Sequence, residues 1–217
     1  MDNYVITIAR GFGSGGKEIG LTLAKELGIN CYEKRILELA SEYSGLSQEM
    51  FERVDEKFSS EKIRKALAKM PVTGEVSSPA YKRFQSDIKL FNIQAHIIRE
   101  LAQSESCIIV GKCADNILAS YKNVISVYIE APREFCRARI MEKYSCTADE
   151  ANRLIYQTDQ YRAEYYKYYS GGNEWTNVTN YDLTINIGRT GFDNAINLIK
   201  DYLKSKLGNV ISQDIKV

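Results

Sequence analysis

The sequence predicts an α/β domain with a parallel sheet covered by helices on both faces. Three observations lead there. Short apolar runs, "YVITIA", "CIIVG", "VISVYIEAP" and "YDLTINIG", alternate with segments of helical periodicity. Most of these runs are apolar throughout, as strands buried on both faces must be, and no hairpin signal joins them. A glycine-rich stretch lies directly between the first such strand and the first helix.

Tyr4 to Ala9 is apolar and β-branched and stops at Gly11, which reads as a buried strand. From Lys17 the pattern turns helical, with Ile19, Leu23 and Leu27 at spacing four and Gly28 as a stop. "INCY" predicts a short strand. "EKRILELASEYSG" predicts a helix, and a second helix runs from Ser47 to about Lys57. Ser59 or Ser60 opens a further short helix through Lys69. "MPVTGEVSSPAY", residues 70–81, reads as an irregular loop from its two prolines, glycine and serines. Residues 82–103 predict a long helix. The block from about 46 to 105, having no strand, is expected to protrude over one edge of the sheet. After strands at 107–111 and 124–132, Pro132 suits the first turn of the next helix. Thr147 and Glu150 form a T-x-x-E capping box opening a helix to Tyr169, which Gly171 and Gly172 end. A strand at 181–188 and an amphipathic helix from Phe192 to Leu207 complete the domain, with a frayed tail beyond.

The 217 residues suffice for one substantial core. Lys plus Arg number 29 against 28 Asp plus Glu, giving a net charge of +1, so no general field draws the chain to nucleic acid or to an anionic membrane. An anion site must therefore be local. Five cysteines without a C-x-x-C pair read as reduced thiols of a cytoplasmic protein. His96, the only histidine, leaves little for a structural zinc site or a Ser-His-Asp triad. No signal peptide or membrane-length apolar run is visible.

Gly11 to Lys17 has the spacing G-x-x-x-x-G-K of a phosphate-binding loop. Gly11, Gly13, Gly15 and Gly16 let backbone amides turn inward around a phosphate, Ser14 adds a hydroxyl, and the helix N-terminus adds its positive end. Lys17 would reach the β- and γ-phosphates. The following position, where a Ser or Thr hydroxyl usually helps hold Mg²⁺, is Glu18. Glu18 either serves the metal or complements the helix dipole.

Together with "ITIARGFGSGGKEIG", the segments "NCYEKRILELASEYSGLS", "IIVGKCADNIL", "VYIEAPREFCRARI", "DQYRAEYYKYYSGGNEW" and "NYDLTINIG" resemble the cytidylate kinase-like family of P-loop nucleoside monophosphate kinases. The likeness covers most of the chain. It implies a three-layer P-loop kinase fold with a helical insertion on the acceptor side and a lid helix at about 147–175. It also implies ATP with Mg²⁺ as donor and CMP or dCMP as acceptor. The family favours Arg where this chain has Lys112, which keeps the charge but not the bidentate fork. The alternatives are a nucleotide-binding regulatory module of weak or lost catalysis and a kinase for another small hydroxyl or phosphate substrate.

Phosphoryl transfer needs positioned cations. Arg137 and Arg139 are the lid or nucleotide-contacting positions that the resemblance indicates; a separation of about 200° keeps them off a single ligand. Asp159, Arg162, Tyr166 and Tyr169 share one helix face, with Arg162 as charge stabiliser and "SGGNEW" as hinge. Lys112 and Asp115, beyond the strand "CIIVG", are expected at the acceptor, with Asp115 a second candidate metal ligand beside Glu18. Arg35 is expected at the acceptor as well. Asp182 reads as structural. Homodimerisation through the helical block is left open.

Overall fold

The computed structural model describes residues 3–56 and 79–208. Five parallel strands form one sheet: β1 (Val5–Arg10), β2 (Asn30–Tyr32), β3 (Cys107–Val110), β4 (Val124–Glu130) and β5 (Leu183–Asn186), in the order β2-β3-β1-β4-β5. The loop-bearing strand β1 is thus central. Its register runs from Val5 against Val124 to Arg10 against Ile129, one residue further than its apolar run suggests.

Alternation along β1 feeds two cores. Ile6 and Ile8 pack with α1 (Gly16–Leu27), α6 (Arg133–Tyr144) and α9 (Phe192–Leu207), through Ile19, Leu23, Cys136, Ile140, Ile196 and Ile199. Val5 and Ala9 face the opposite way, toward Phe91, Ala95, Ile98 and Ala102 of α4 (Pro79–Ser104). A smaller cluster of Leu37, Ala40, Phe51, Leu90 and Ile97 joins α4 to α2 (Arg35–Ser44) and α3 (Gln48–Glu56). The helical block therefore does not simply overhang an edge. Its long helix covers a sheet face, because its apolar stripe is continuous with Val5, Cys107 and Ile109.

Several boundaries shift for local reasons. Helix α4 begins at Pro79, since proline suits a first helical turn, so it takes in the end of the expected loop. The strand β4 stops at Glu130, and Pro132 is the N-cap of α6 rather than a residue within it. The last strand stops at Asn186, where its neighbour ends, and a one-turn helix α8 (Ile187–Thr190) follows. The expected helix to Lys69, most of the 70–81 loop and the tail from 209 lie outside the described residues.

A one-turn helix α5 (Ala114–Ile117) follows β3. Helix α7 (Ala148–Tyr169) opens with the full Thr147–Glu150 capping box. Its Ala151 and Ile155 belong to the first core, while Tyr165 and Tyr166 belong to the second. The helix thus spans from one sheet face to the other. Among the described residues, no helix is long and apolar enough to cross a membrane.

Candidate active site

The loop between β1 and α1 stands at the carboxyl end of the central strand, where parallel sheets present ligand sites. Gly15 is the N-cap of α1, at φ 93°. A Cβ there would also lie 2.5 Å from the Phe192 ring, so both backbone conformation and space demand glycine. Ser14 is fully buried, and its hydroxyl points to Gly11 O at 2.9 Å and Ile129 O at 3.1 Å. It therefore braces the loop against β4 instead of facing a phosphate: its single proton goes to one or the other of these carbonyls, both of which lie within the protein.

Lys17 opens onto the loop and forms an ion pair with Glu33 Oε2 at 2.5 Å. Glu33 Oε1 accepts from Arg10 Nη2 at 3.1 Å. Burial alone would push the Glu33 carboxyl up, but Lys17 and Arg10 together hold it below the ordinary carboxylate value. Neither Arg10 nor Glu33 was expected in the site. Arg10 lies one residue beyond the apolar run, and Glu33 follows β2, which β3 separates from β1. The only sequence signal was an acid at the end of a parallel strand.

Glu18 is engaged by Arg139 Nη2 at 3.3 Å. Arg139 Nε also donates to Gly13 O at 3.1 Å, and its guanidinium lies 5.0 Å from the Phe192 ring centroid. The structure thus brings Arg139 to the loop. Arg137, on another side of α6, makes none of these contacts, consistent with the helical angle between them. For Glu18, the nearby guanidinium replaces the open metal position expected of it.

On the other side of the loop, Asp159 Oδ1 accepts from the Phe12 amide at 2.8 Å. Arg162 Nη1 lies 3.6 Å from the same carboxylate oxygen and donates to Arg10 O at 2.9 Å. Burial pushes the Asp159 carboxyl up and Glu130 adds to this, while the Phe12 amide and Arg162 oppose it. In this structure the helix expected as a lid is docked on the loop. Its Ile155, Tyr165 and Tyr166 are buried, each worth about 1.5–3 kcal/mol against full exposure.

A cleft of about 410 Å³ adjoins the loop. Arg10, Lys34, Lys112 and Arg162 bring cations to its wall, and Tyr161, Tyr165, Tyr166 and Trp175 bring aromatic rings. Arg35 does not line it. That guanidinium is exposed and pairs with Glu38 at 3.0 Å, one helical turn away, while its neighbour Lys34 faces the cleft. Lys112 and Asp115 do reach the cleft. The chain turns there through three consecutive left-handed residues, Gly111, Lys112 and Cys113, at φ 77°, 62° and 57°. Two of them are non-glycine, a costly arrangement of the kind that clusters at functional sites. Asp115 is buried and accepts from Tyr166 Oη at 2.6 Å; burial pushes its carboxyl up to about 6.

Among the described residues, no group of three or more His, Cys, Asp or Glu side chains could hold a metal. Glu18 and Asp115 are each taken by another partner, so neither is a ready ligand. All five cysteines are free thiols. Asp182 accepts from Lys206 at 2.8 Å and from the Ser126 amide at 2.8 Å, a structural tie between β4 and α9.

A central phosphate loop in a parallel sheet of this order, flanked by helices on both faces, is the P-loop kinase fold. The chain belongs to the cytidylate kinase-like family, whose model matches residues 5–189. It is similar to a crystal structure of an uncharacterized protein from Eubacterium ventriosum ATCC 27560, at 26% identity and TM-score 0.67, over 94% of this chain and 99% of that one. It shares its fold with shikimate kinase from Bacteroides thetaiotaomicron, at 12% identity and TM-score 0.52, over 93% of this chain and 98% of that one. No curated protein matches the chain significantly.

Proposed function

We propose that this protein transfers the terminal phosphoryl group of ATP to a nucleoside monophosphate, with CMP or dCMP the first acceptor to test. The observation that carries the reading is the cleft beside the phosphate loop. Its cations suit the acceptor phosphate, and its tyrosines and Trp175 suit a planar base. The loop amides and Lys17 hold the β- and γ-phosphates. Mg²⁺ bound with the triphosphate would supply charge neutralisation at the phosphate oxygens. Arg162, fixed by Asp159 and Arg10 O, stands between loop and cleft and supports the charge of the moving phosphoryl group.

The test is ADP formation from ATP and Mg²⁺ over a panel of nucleoside monophosphates, with Lys17→Ala beside the parent protein. Acceptor-stimulated ADP that disappears in Lys17→Ala is expected. ATP binding without acceptor-stimulated turnover on any monophosphate would make the chain a nucleotide-binding module or a kinase of another acceptor.

A further inference from the structure

Glu33 carries a role that the kinase reading alone does not assign. Its two carboxylate oxygens divide between two cations, Lys17 of the phosphate loop and Arg10 of the acceptor cleft. Lys17 is half exposed, while Glu33 is largely enclosed, so the carboxylate is the fixed partner and the ammonium the mobile one. Arg10 passes close over Gly111 on its far side. A Cβ there would collide with the guanidinium, so the left-handed glycine leaves the room that Arg10 occupies over the cleft. A continuous line therefore runs from Lys17 through Glu33 and Arg10 to Gly111.

We propose that Glu33 is a positioning residue that competes with the donor's terminal phosphate for Lys17. An incoming polyphosphate replaces Glu33 Oε2 on Lys17, and Glu33 then remains bound to Arg10 alone, on the acceptor side. The ion pair holds the loop lysine in its working direction before the donor arrives, at the cost of donor affinity. Because the pair is partly exposed, the competition is weak enough for a phosphate to win: pairs of this kind shift equilibria by about fivefold at most. This inference rests on the proposed contact between Lys17 and the donor phosphate.

Calorimetric binding of Mg²⁺-ATP and of inorganic tripolyphosphate, a probe without a base, tests it in four proteins: the parent, Glu33→Gln, Lys17→Ala and the double variant. Glu33→Gln should bind both probes about two- to fivefold more tightly at low salt, with the gain shrinking as salt rises. Lys17→Ala should lose most binding, and in that background Glu33→Gln should bring little of the gain. Unchanged or weaker binding in Glu33→Gln overturns the proposal. An equal gain without Lys17 also overturns it, since that gain would come from charge repulsion alone. Binding unaffected by Lys17→Ala removes the underlying phosphate contact, a separate failure from either of these. A merely structural Glu33 would lower melting temperature and affinity together. If Glu33→Gln does not fold, Glu33→Asp takes its place: its carboxylate is one methylene further from Lys17, so affinity should rise about twofold, and a fall overturns the proposal.

Discussion

The carboxylate of Asp159 accepts a hydrogen bond from the amide of Phe12 at 2.8 Å, across 147 positions of sequence. This one contact ties the middle of α7 to the phosphate loop, and it sets the orientation of a residue between two of the loop's glycines.

Asp159→Ala leaves the Phe12 amide without its acceptor and removes the carboxylate beside Arg162. A partly buried donor left unpaired costs about 1–3 kcal/mol. In a chain of this size that corresponds to a melting temperature about 3–10 °C lower. Asp159→Asn keeps an acceptor oxygen and should lose less than half as much. Calorimetric melting of both variants checks the order, and equal losses would contradict it.

Glu18 faces Arg139, so its substitution should act on the loop rather than on the metal. Glu18→Ser is expected to raise the KM for ATP about two- to fivefold, as a weakened surface pair would. The Mg²⁺ concentration for half-maximal activity should stay where it is. A clear shift in that concentration would return Glu18 to the metal.

Asp115 gives a pH dependence whose sign follows from its burial. Its carboxyl is pushed up to about 6 in the folded protein, from 3.8. Between those values the folded state binds a proton that the unfolded state has released, so this group makes stability fall as pH rises toward 6. Above that its charged form stays buried at a constant cost. Asp115→Asn removes the cost while its amide oxygen can still accept from Tyr166. The variant should be more stable at pH 7 by up to about 3 kcal/mol, less what is lost where the backbone amides of Asp115 and Asn116 no longer face a second carboxylate oxygen, and should lack that part of the slope between pH 4 and 6. Urea titrations at several pH values measure both, and destabilisation at pH 7 would contradict the expectation.

Gly111→Ala would force a side chain into a left-handed turn and against the Arg10 guanidinium. The backbone strain alone costs about 1–3 kcal/mol. Displacing Arg10 should raise the acceptor KM more than the KM for ATP, because Arg10 lines the cleft. Steady-state kinetics with each substrate varied in turn decides this.

What the sequence disclosed was mostly local. The capping box at Thr147, the glycine loop between strand and helix, and the parallel sheet all follow from neighbouring residues, and each is present. The partners of the site residues were less legible. Arg139 and Glu18 meet across α6 and α1, while Glu33 meets Lys17 and Arg10 across a sheet whose order places β3 between β1 and β2. Such pairs depend on tertiary placement, and spacing along the chain carries no trace of them. Ser14 shows the opposite failure. Its position in the loop suggested a phosphate ligand, but a short hydroxyl can turn inward as easily as outward, and two buried carbonyls decided the matter.

Helix α7 has its roots in both cores and its middle on the loop, which makes it a rigid beam over a fulcrum. Its Tyr166 end touches Asp115 at the cleft, and its Asp159 touches Phe12. The same helix therefore carries both contacts, one at the cleft and one at the loop, on a single rigid element.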